Sequence, residues 1–260
     1  MRSQSRRMAA GRNLRCQGKS NDRYHVSSSK SRGLFSKRSN PPLLGLTQSR
    51  RKGIYSVIDG AHALGHIPLN LNQMEADFYV GNCHKWMMAP KGAAFTYARR
   101  ELQPILNPLI ISHGWQSDRV SEGPFGGSPF VDAMEIQETR DPSAWLTVPE
   151  ALRFRRENYW QEVSRACSDL AYETAERLYE ICGSKPIAAR EFSAPQMVSI
   201  PIPAPDSAWF QRMLYEQFRI EIPVVPWKGR SFLRLSVQCY NTKAEMDLLV
   251  EAVISVLNSA

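Results

Sequence analysis

Two side chains of opposite charge follow neighbouring strand-like segments in the first half of the chain. Asp59 follows the apolar, β-branched run of residues 54–58, and Lys85 lies just beyond a second run at residues 78–80. A carboxylate at the end of a buried strand destabilises the fold unless a cationic group lies beside it. A lysine in a partly desolvated pocket loses its proton more readily than in water, and the neutral amine can form a Schiff base with a carbonyl compound. The two residues therefore predict a site that binds a carbonyl group and a cation together.

Pyridoxal 5'-phosphate combines both requirements in one molecule. Its aldehyde forms an imine with a lysine, and an acidic side chain keeps its ring nitrogen protonated so that the ring can accept electrons. Each residue has a plainer interpretation by itself, because Asp-Gly after a strand is typical of a turn and an isolated lysine is typical of a surface. The joint spacing of the two residues is what favours the cofactor hypothesis.

Four short segments around these residues carry a more specific signal. They resemble segments of the class V aminotransferase family, whose members depend on pyridoxal phosphate: Val57-Ile58-Asp59-Gly60-Ala61-His62-Ala63, Ala76-Asp77-Phe78-Tyr79, His84-Lys85-Trp86 and Ala89-Pro90-Lys91-Gly92. Within the family, the most similar branch includes isopenicillin N epimerase and plant L-cysteine desulfhydrase. The resemblance extends from about Gly53 to the C-terminus.

The resemblance implies roles for five residues near the predicted strand ends. Lys85 corresponds to the lysine that holds the cofactor as an internal aldimine, and Asp59 corresponds to the partner of the ring nitrogen. His62 corresponds to the residue that hydrogen-bonds the phenolic oxygen of the ring, and His84 to a phosphate ligand. Asn82 stands where many relatives have a serine that contacts the phosphate.

Two further residues are assigned by the same resemblance. Thr139 corresponds to a threonine that reaches the phosphate of the neighbouring subunit, although Glu138 replaces the glycine that usually precedes it. A glutamate is repelled by phosphate and does not readily adopt the positive φ of glycine. Arg234 corresponds to the arginine that binds the substrate α-carboxylate, for which its planar fork is suited. Without the resemblance, Arg234 would be interpreted as a solvated strand residue.

The resemblance implies an enzyme that acts on a small amino acid and is a homodimer in its complete form. Lys85, once released by the substrate amine, is expected to be the general base at Cα. Cysteine β-elimination, epimerisation and transamination are all compatible with these residues. Relatives have a long stretch before the aspartate that supplies the rest of the sheet and of the cofactor site. The alternative is therefore a truncated, catalytically silent fragment that acts as an interaction or regulatory protein.

The elements expected to position these residues form an α/β fold. Apolar runs predict strands at 54–58, 78–80 and 93–97. The family resemblance implies that residues 54–160 are the C-terminal part of a fold-type I large domain. Sheets of this class bind ligands beyond the carboxyl ends of their parallel strands. Residues 104–147 are rich in glycine, proline and tryptophan and predict a long irregular segment.

A small α+β domain is predicted over residues 161–260. Apolar residues at helical spacing over residues 163–181 predict a helix before its first strand. The helix after that strand, capped by Asp206 or Ser207, is expected to carry Trp209, Met213 and Phe218 on one side. The strands themselves are expected at residues 197–202, 220–225 and 232–237.

The net charge of +8 is concentrated in the N-terminal segment. Residues 1–53 contain 14 lysines and arginines against one acidic residue, and they are predicted to form a disordered tail. An arginine-rich, acid-poor N-terminus also resembles an organellar transit peptide, so we expect a cytoplasmic protein or, alternatively, one in a mitochondrion or plastid. A basic arm for nucleic acid is a rival interpretation, but no recognisable nucleic-acid module accompanies it, and no such partner is predicted.

The remaining features exclude several classes of protein. No apolar run approaches the ~20 residues that cross a bilayer, so no membrane partner is predicted. The five cysteines lack paired spacing, which indicates free thiols rather than a disulfide framework. His62 and His66 are four residues apart, as in some zinc sites, but Gly65 and Pro68 interrupt the helix that such a site requires. No metal site is predicted.

Overall fold

A computed structural model of the chain describes residues 28–30, 46, 48–118, 122–137 and 139–259. The chain divides into two compact units, with a boundary between Pro149 and Glu150. Each unit has its own sheet and is described separately. The domain boundary predicted at residue 160 lies further along the chain, and the predicted domains stay a prediction.

A four-stranded sheet forms the centre of the first unit. Its strands in spatial order are β1 (Ser28–Lys30), β2 (Val57–Asp59), β3 (Phe78–Asn82) and β4 (Ala94–Ala98). The first three strands are parallel, and β4 runs antiparallel to β3. The crossover from β2 to β3 carries the short helix α1 (Leu71–Met74), whose N-cap Asn70 accepts a hydrogen bond from the Gln73 amide. The three predicted strands are present, although β2 begins later than its apolar run.

Part of the segment predicted as a disordered tail has regular structure. Residues 28–30 form β1, and because strand pairing uses backbone groups, a serine-rich sequence is compatible with it. Residues 48–51 are helical, and the Arg50 guanidinium donates a hydrogen bond of 2.8 Å to the Glu75 carbonyl oxygen. The prediction of disorder is wrong for these residues. For residues 1–27, 31–45 and 47, which lie outside the described part of the chain, it stays a prediction.

A buried carboxylate ties the starts of β2 and β3 together. Asp77 precedes β3, and its Oδ2 accepts hydrogen bonds from the amide and the hydroxyl of Ser56 at 2.8 and 2.9 Å. Arg99, just after β4, lies 3.0 Å from the other carboxylate oxygen. A buried charge is tolerated only when it is paired and hydrogen-bonded. This arrangement therefore fixes the strand register at the end of the sheet away from Asp59.

Short helices follow the sheet in the first unit. They are the 3₁₀ helix Arg100–Ile105 and the helices α2 (Pro129–Glu135) and α3 (Ser143–Leu146). The segment 104–147, predicted to be irregular, therefore contains two helices. α2 begins where the Ser128 side chain accepts a hydrogen bond from the Val131 amide. The buried Asp132 of α2 accepts a hydrogen bond of 2.7 Å from the Phe125 amide, which holds the preceding glycine-rich loop against the helix.

The second unit combines an antiparallel sheet with long helices. Helix α4 begins at the division between the units, and the strand order in the sheet is β5-β7-β6. The helices are α4 (Val148–Glu157), α5 (Trp160–Ile181), α6 (Ser207–Phe218) and α7 (Lys243–Asn258), and the strands are β5 (Met197–Ile202), β6 (Val224–Trp227) and β7 (Arg230–Ser236). A 3₁₀ turn, Arg190–Phe192, precedes β5. One apolar core forms between this sheet and the helices, including Leu178, Ile200, Phe210, Leu214, Leu233 and Val253.

The structure adds detail to one expected helix face in the second unit and corrects the start of one expected strand. Phe210 and Leu214 are the fully buried residues of α6, whereas Trp209, Met213 and Phe218 lie at the edge of the core. The Asp206 carboxylate accepts hydrogen bonds from the Ala208 and Trp209 amides, and this N-cap fixes where the helix begins. β6 begins at Val224 rather than at residue 220, because Pro223 has no N–H for a strand ladder. Within the described ranges, no helix combines the length and apolar character needed to cross a membrane.

Candidate active site

Asp59 and Lys85 follow adjacent parallel strands of the first unit. Asp59 is the last residue of β2 and pairs with Val80 of β3, and Lys85 comes three residues after β3 ends. One Asp59 oxygen accepts a hydrogen bond of 3.0 Å from the Ala61 amide. Both side chains are half-buried. Among the described residues, no cationic side chain forms an ion pair with Asp59.

His62 brings the chain after β2 into contact with the chain after β3. Its Nε2 lies 3.3 Å from the Lys85 Nζ, and its Nδ1 accepts a hydrogen bond of 3.2 Å from the Trp86 indole N–H. The His66 ring stacks on the Trp86 ring with centroids 4.0 Å apart, and the His66 Nδ1 donates to the His62 carbonyl oxygen. The structure therefore joins two predicted site residues, His62 and Lys85, through one side-chain contact.

The loop that carries Lys85 is held by its own backbone. The Cys83 amide donates to the Ala93 carbonyl oxygen at 2.9 Å, and the Ala89 amide donates to the Cys83 carbonyl oxygen at 3.0 Å. The Met88 amide closes the turn by donating to the Lys85 carbonyl oxygen. Met88 adopts a left-handed φ of 66° to do so. Lys85 therefore lies in a loop whose backbone is fixed by hydrogen bonds.

Tyr79 packs against the backbone that follows Asp59. Its side chain is fully buried, its ring stacks on Phe95, and its hydroxyl donates a long hydrogen bond of 3.4 Å to the Gly60 carbonyl oxygen. A Cβ atom at position 60 would lie 1.9 Å from the Tyr79 ring, so only glycine fits at this position. Burial, with a smaller contribution from the Asp59 carboxylate, raises the pKa of Tyr79 to about 12. Tyr79 therefore stays neutral over the whole physiological range.

Asn82 and His84 flank the exit from β3. Asn82 is the last residue of the strand and pairs with Ala94, and its side chain is half-buried. The Nδ1 atom of His84 is buried and has no hydrogen-bond partner among the described residues. Burial raises the pKa of the neighbouring Cys83 thiol, so this cysteine is kept protonated and inert.

Among the residues that the structure describes, no contact brings Thr139 to the strand ends. It is exposed and lies between α2 and α3, where the Arg140 guanidinium donates to the Glu135 carbonyl oxygen. Two hydrogen bonds from Ser143 lower the pKa of Asp141, which precedes α3. No described contact links Thr139 to the other site residues.

Arg234 lies on β7 of the second unit. Leu233 and Leu235 on either side are buried, as strand alternation predicts, whereas Arg234 is half-buried. Its Nε atom is buried without a hydrogen-bond partner in the described part of the chain. Together with Glu221 and Asn241 it lines a cavity of about 330 Å³. An unpaired guanidinium nitrogen in a cavity is suited to an anionic ligand.

Sequence reasoning missed the roles of Trp86 and Tyr79. Both residues stand within the quoted motifs, but the linear sequence does not show that the indole N–H meets the His62 ring. No spacing signal was available for Tyr79 either, because Tyr79 pairs with Ile58 and its ring reaches Gly60, two residues beyond that partner. The described residues include no group of three or more histidine, cysteine or acidic side chains that could bind a metal.

The strand-end residues fit pyridoxal phosphate. The half-buried Asp59 has no cationic partner in the described part of the chain, and its carboxylate can accept a hydrogen bond from a protonated pyridine nitrogen. The unpartnered His84 Nδ1 suits a phosphate oxygen, and the Lys85 amine lies at the same end of the sheet. The site therefore offers an acid, an amine and an anion ligand of the kinds that this cofactor needs.

A parallel sheet with an acid and a lysine beyond its strand ends is the arrangement of fold-type I pyridoxal phosphate enzymes. Solved structures share the fold: an apo cysteine desulfurase from Thermococcus onnurineus NA1 aligns with a TM-score of 0.69 and 18% identity, covering 91% of this chain and 60% of that one. An alanine–glyoxylate aminotransferase from Nostoc sp. aligns with a TM-score of 0.61 and 18% identity, covering 90% and 61%. The predicted fold class is confirmed.

The sequence profile described as Aminotransferase class-V matches residues 42–249, and the chain belongs to this family, which depends on pyridoxal 5'-phosphate. It is 33% identical to isopenicillin N epimerase from Amycolatopsis lactamdurans over 79% of this chain and 53% of that protein. It is 30% identical to a probable chloroplastic L-cysteine desulfhydrase from Arabidopsis thaliana over 78% and 45%. The predicted resemblance is confirmed. The chain spans about half the length of these curated relatives.

Proposed function

We propose that the chain forms a pyridoxal phosphate site at the ends of β2 and β3 and that the complete site acts on the amino group of a small amino acid. The observation that carries the proposal is the 3.3 Å contact between the Lys85 amine and His62, two residues that follow adjacent parallel strands. Family membership supports the same choice of cofactor.

Each strand-end residue has one task in this proposal. Lys85 provides the amine that binds the cofactor aldehyde, and Asp59 holds a proton on the ring nitrogen. His62 donates a hydrogen bond to the phenolic oxygen, whereas His84 and Asn82 bind phosphate oxygens. When bound, pyridoxal phosphate supplies an electron sink that makes the Cα proton of an amino acid acidic. Lys85 is then the base that takes this proton.

Arg234 is proposed to bind the substrate carboxylate, and Thr139 to bind the phosphate in a partner subunit. The unpaired guanidinium nitrogen of Arg234 and the adjoining cavity support the first role. Bidentate binding of a carboxylate fixes the substrate orientation, which an ammonium group cannot do equally well. Arg234→Lys is therefore expected to raise the KM for an amino-acid substrate and to leave the absorbance of the bound cofactor nearly unchanged. Equal loss of both would indicate a structural role instead.

The relatives favour two reactions. Cysteine β-elimination converts cysteine and water into sulfide, pyruvate and ammonia, and epimerisation returns the Cα proton to the opposite face. Both begin with proton removal at Cα, so the proposed roles of Lys85 and Arg234 are common to them. Sulfide and pyruvate formation from L-cysteine would assign the first reaction, and loss of optical rotation without pyruvate the second.

Absorbance spectroscopy tests the cofactor site directly. We expect pyridoxal phosphate added to the purified chain to give the visible band of lysine-bound pyridoxal, and we expect Lys85→Ala to abolish it. Lys91→Ala is the matched control, because Lys91 is exposed and lies in the same loop. A band that survives unchanged in Lys85→Ala would refute Lys85 as the anchor.

A catalytically silent interaction or regulatory protein is the second candidate function. It is favoured by the position of Thr139, which no contact among the described residues links to the strand-end site. It predicts a folded chain that never develops the visible band at any cofactor concentration. A saturable band that disappears with Lys85→Ala would exclude this candidate.

Assembly and location follow as further proposals. We propose a homodimer, because the family resemblance gives Thr139 a role at a neighbouring subunit's cofactor, and sedimentation would measure the mass. We propose a cytoplasmic location, with import into a mitochondrion or plastid as the alternative that the chloroplastic relative supports. Residues 1–53 fused to a fluorescent reporter would distinguish the two by a diffuse or an organellar signal.

A further inference from the structure

We propose that Trp86 is a positioning residue that fixes the tautomer of His62 and thereby favours the unprotonated, reactive form of the Lys85 amine. The inference deepens the proposed function, because it rests on Lys85 being the amine that binds the cofactor. It concerns three side chains in one chain of contacts: Trp86 to His62 at 3.2 Å and His62 to Lys85 at 3.3 Å.

The direction of the first hydrogen bond is fixed by chemistry. An indole N–H can only donate, so the His62 Nδ1 facing Trp86 must accept and carries no proton. A neutral imidazole with an unprotonated Nδ1 bears its proton on Nε2. The His62 nitrogen that faces Lys85 is therefore an N–H donor.

The second contact then constrains Lys85. An ammonium group has three donors and no acceptor, so it cannot accept from the His62 Nε2–H. A neutral amine has a lone pair and can accept that hydrogen bond. The contact at 3.3 Å therefore favours the neutral amine, which is the form that attacks a carbonyl carbon.

Trp86 is held firmly enough to impose this tautomer. Its side chain is buried, and the His66 ring stacks on it at an interplanar angle of 14°. His66 also donates to the His62 carbonyl oxygen, so main chain and side chain of His62 are fixed by neighbouring groups. Rotation of the His62 ring would break the bond to Trp86 and the contact with Lys85 together.

Amine acylation tests the effect on Lys85 without any cofactor. The cofactor-free chain is treated with a trace of acetic anhydride, which acetylates an amine only in its neutral form. Mass spectrometry then measures the acetylation of Lys85 relative to that of the exposed Lys91. Trp86→Phe should lower this ratio by about 2- to 10-fold, the range that loss of one hydrogen bond gives. Loosened packing alone would expose Lys85 and raise the ratio, so an unchanged or raised ratio overturns the proposal.

A double-mutant cycle separates the tautomer from packing. In His62→Ala no imidazole links Trp86 to Lys85, so Trp86→Phe should have no effect on the ratio in that background. The same fall in both backgrounds would mean that Trp86 acts by packing, and it would overturn the proposal.

Nuclear magnetic resonance gives a readout that needs no variant to fold. With ring nitrogens labelled, a coupling across the hydrogen bond between the Trp86 Nε1 and the His62 Nδ1 is expected in the wild-type chain. Its absence, or a proton found on the His62 Nδ1, overturns the proposal. Because these measurements use cofactor-free protein, a chain that fails to bind pyridoxal phosphate but shows the coupling and the acylation effect refutes only the proposed function.

Discussion

Gly60→Ala should destabilise the first unit through one specific contact. The added Cβ would lie 1.9 Å from ring atoms of Tyr79, which is fully buried and cannot swing aside into solvent. Overpacking of this kind costs about 1–3 kcal/mol. Replacing glycine also reduces the entropy of the unfolded chain, which offsets about 0.4–1 kcal/mol. We therefore expect the free energy of unfolding to fall by about 1–2 kcal/mol.

Urea unfolding with hydrogen exchange of the peptide 57–82 would measure this loss and locate it in the first unit. Tyr79→Leu supplies the control, because it removes the ring atoms that the new methyl group meets. In that background Gly60→Ala should change the free energy of unfolding by no more than about 0.5 kcal/mol. An equal loss in both backgrounds would refute the steric explanation.

Two further substitutions test the packing around the site. Because burial and Asp59 raise the pKa of Tyr79 from 10.0 to about 12, the unfolded chain releases a proton that the folded chain keeps as pH rises through this window, and stability falls there. Tyr79→Phe should remove about 2–3 kcal/mol of this fall in urea titrations, and identical pH profiles would contradict the assignment. Asp77→Ala leaves the Ser56 amide and Arg99 without their buried partner and should lower the free energy of unfolding by about 3–5 kcal/mol. A loss below about 1 kcal/mol in thermal unfolding would show that water replaces the carboxylate.

The ends of β2 and β3 were predictable because two signals agree there. Apolar β-branched runs define the strands, and the charged residues that follow them have no place in a core. Parallel pairing then brings Asp59 and Lys85 to one edge of the sheet. The Lys85 contact with His62 was predictable only as far as the family resemblance assigns both residues to one cofactor.

Other features depend on tertiary contacts that a linear pattern does not contain. β1 pairs through its backbone, so its serines and lysine give no apolar signal. Trp209, Met213 and Phe218 pack against the core from one side of α6, as their spacing predicts, but the complete burial of Phe210 and Leu214 depends on the elements packed around the helix. The Trp86 to His62 hydrogen bond requires the ring orientation of both residues, which no spacing rule specifies.

The left-handed backbone conformation of Met88 determines which residues at position 88 would stabilise the fold. A residue with a Cβ in that region carries a penalty of about 1–2 kcal/mol that glycine or asparagine largely avoids. Glycine or asparagine at position 88 should therefore raise the stability of the fold, as it should at the other described non-glycine residues with a left-handed φ, which are Glu75, Tyr159, Arg219 and Lys228. A glycine-bearing loop would hold Lys85 less rigidly, so fold stability and a fixed position of the lysine place opposite demands on residue 88.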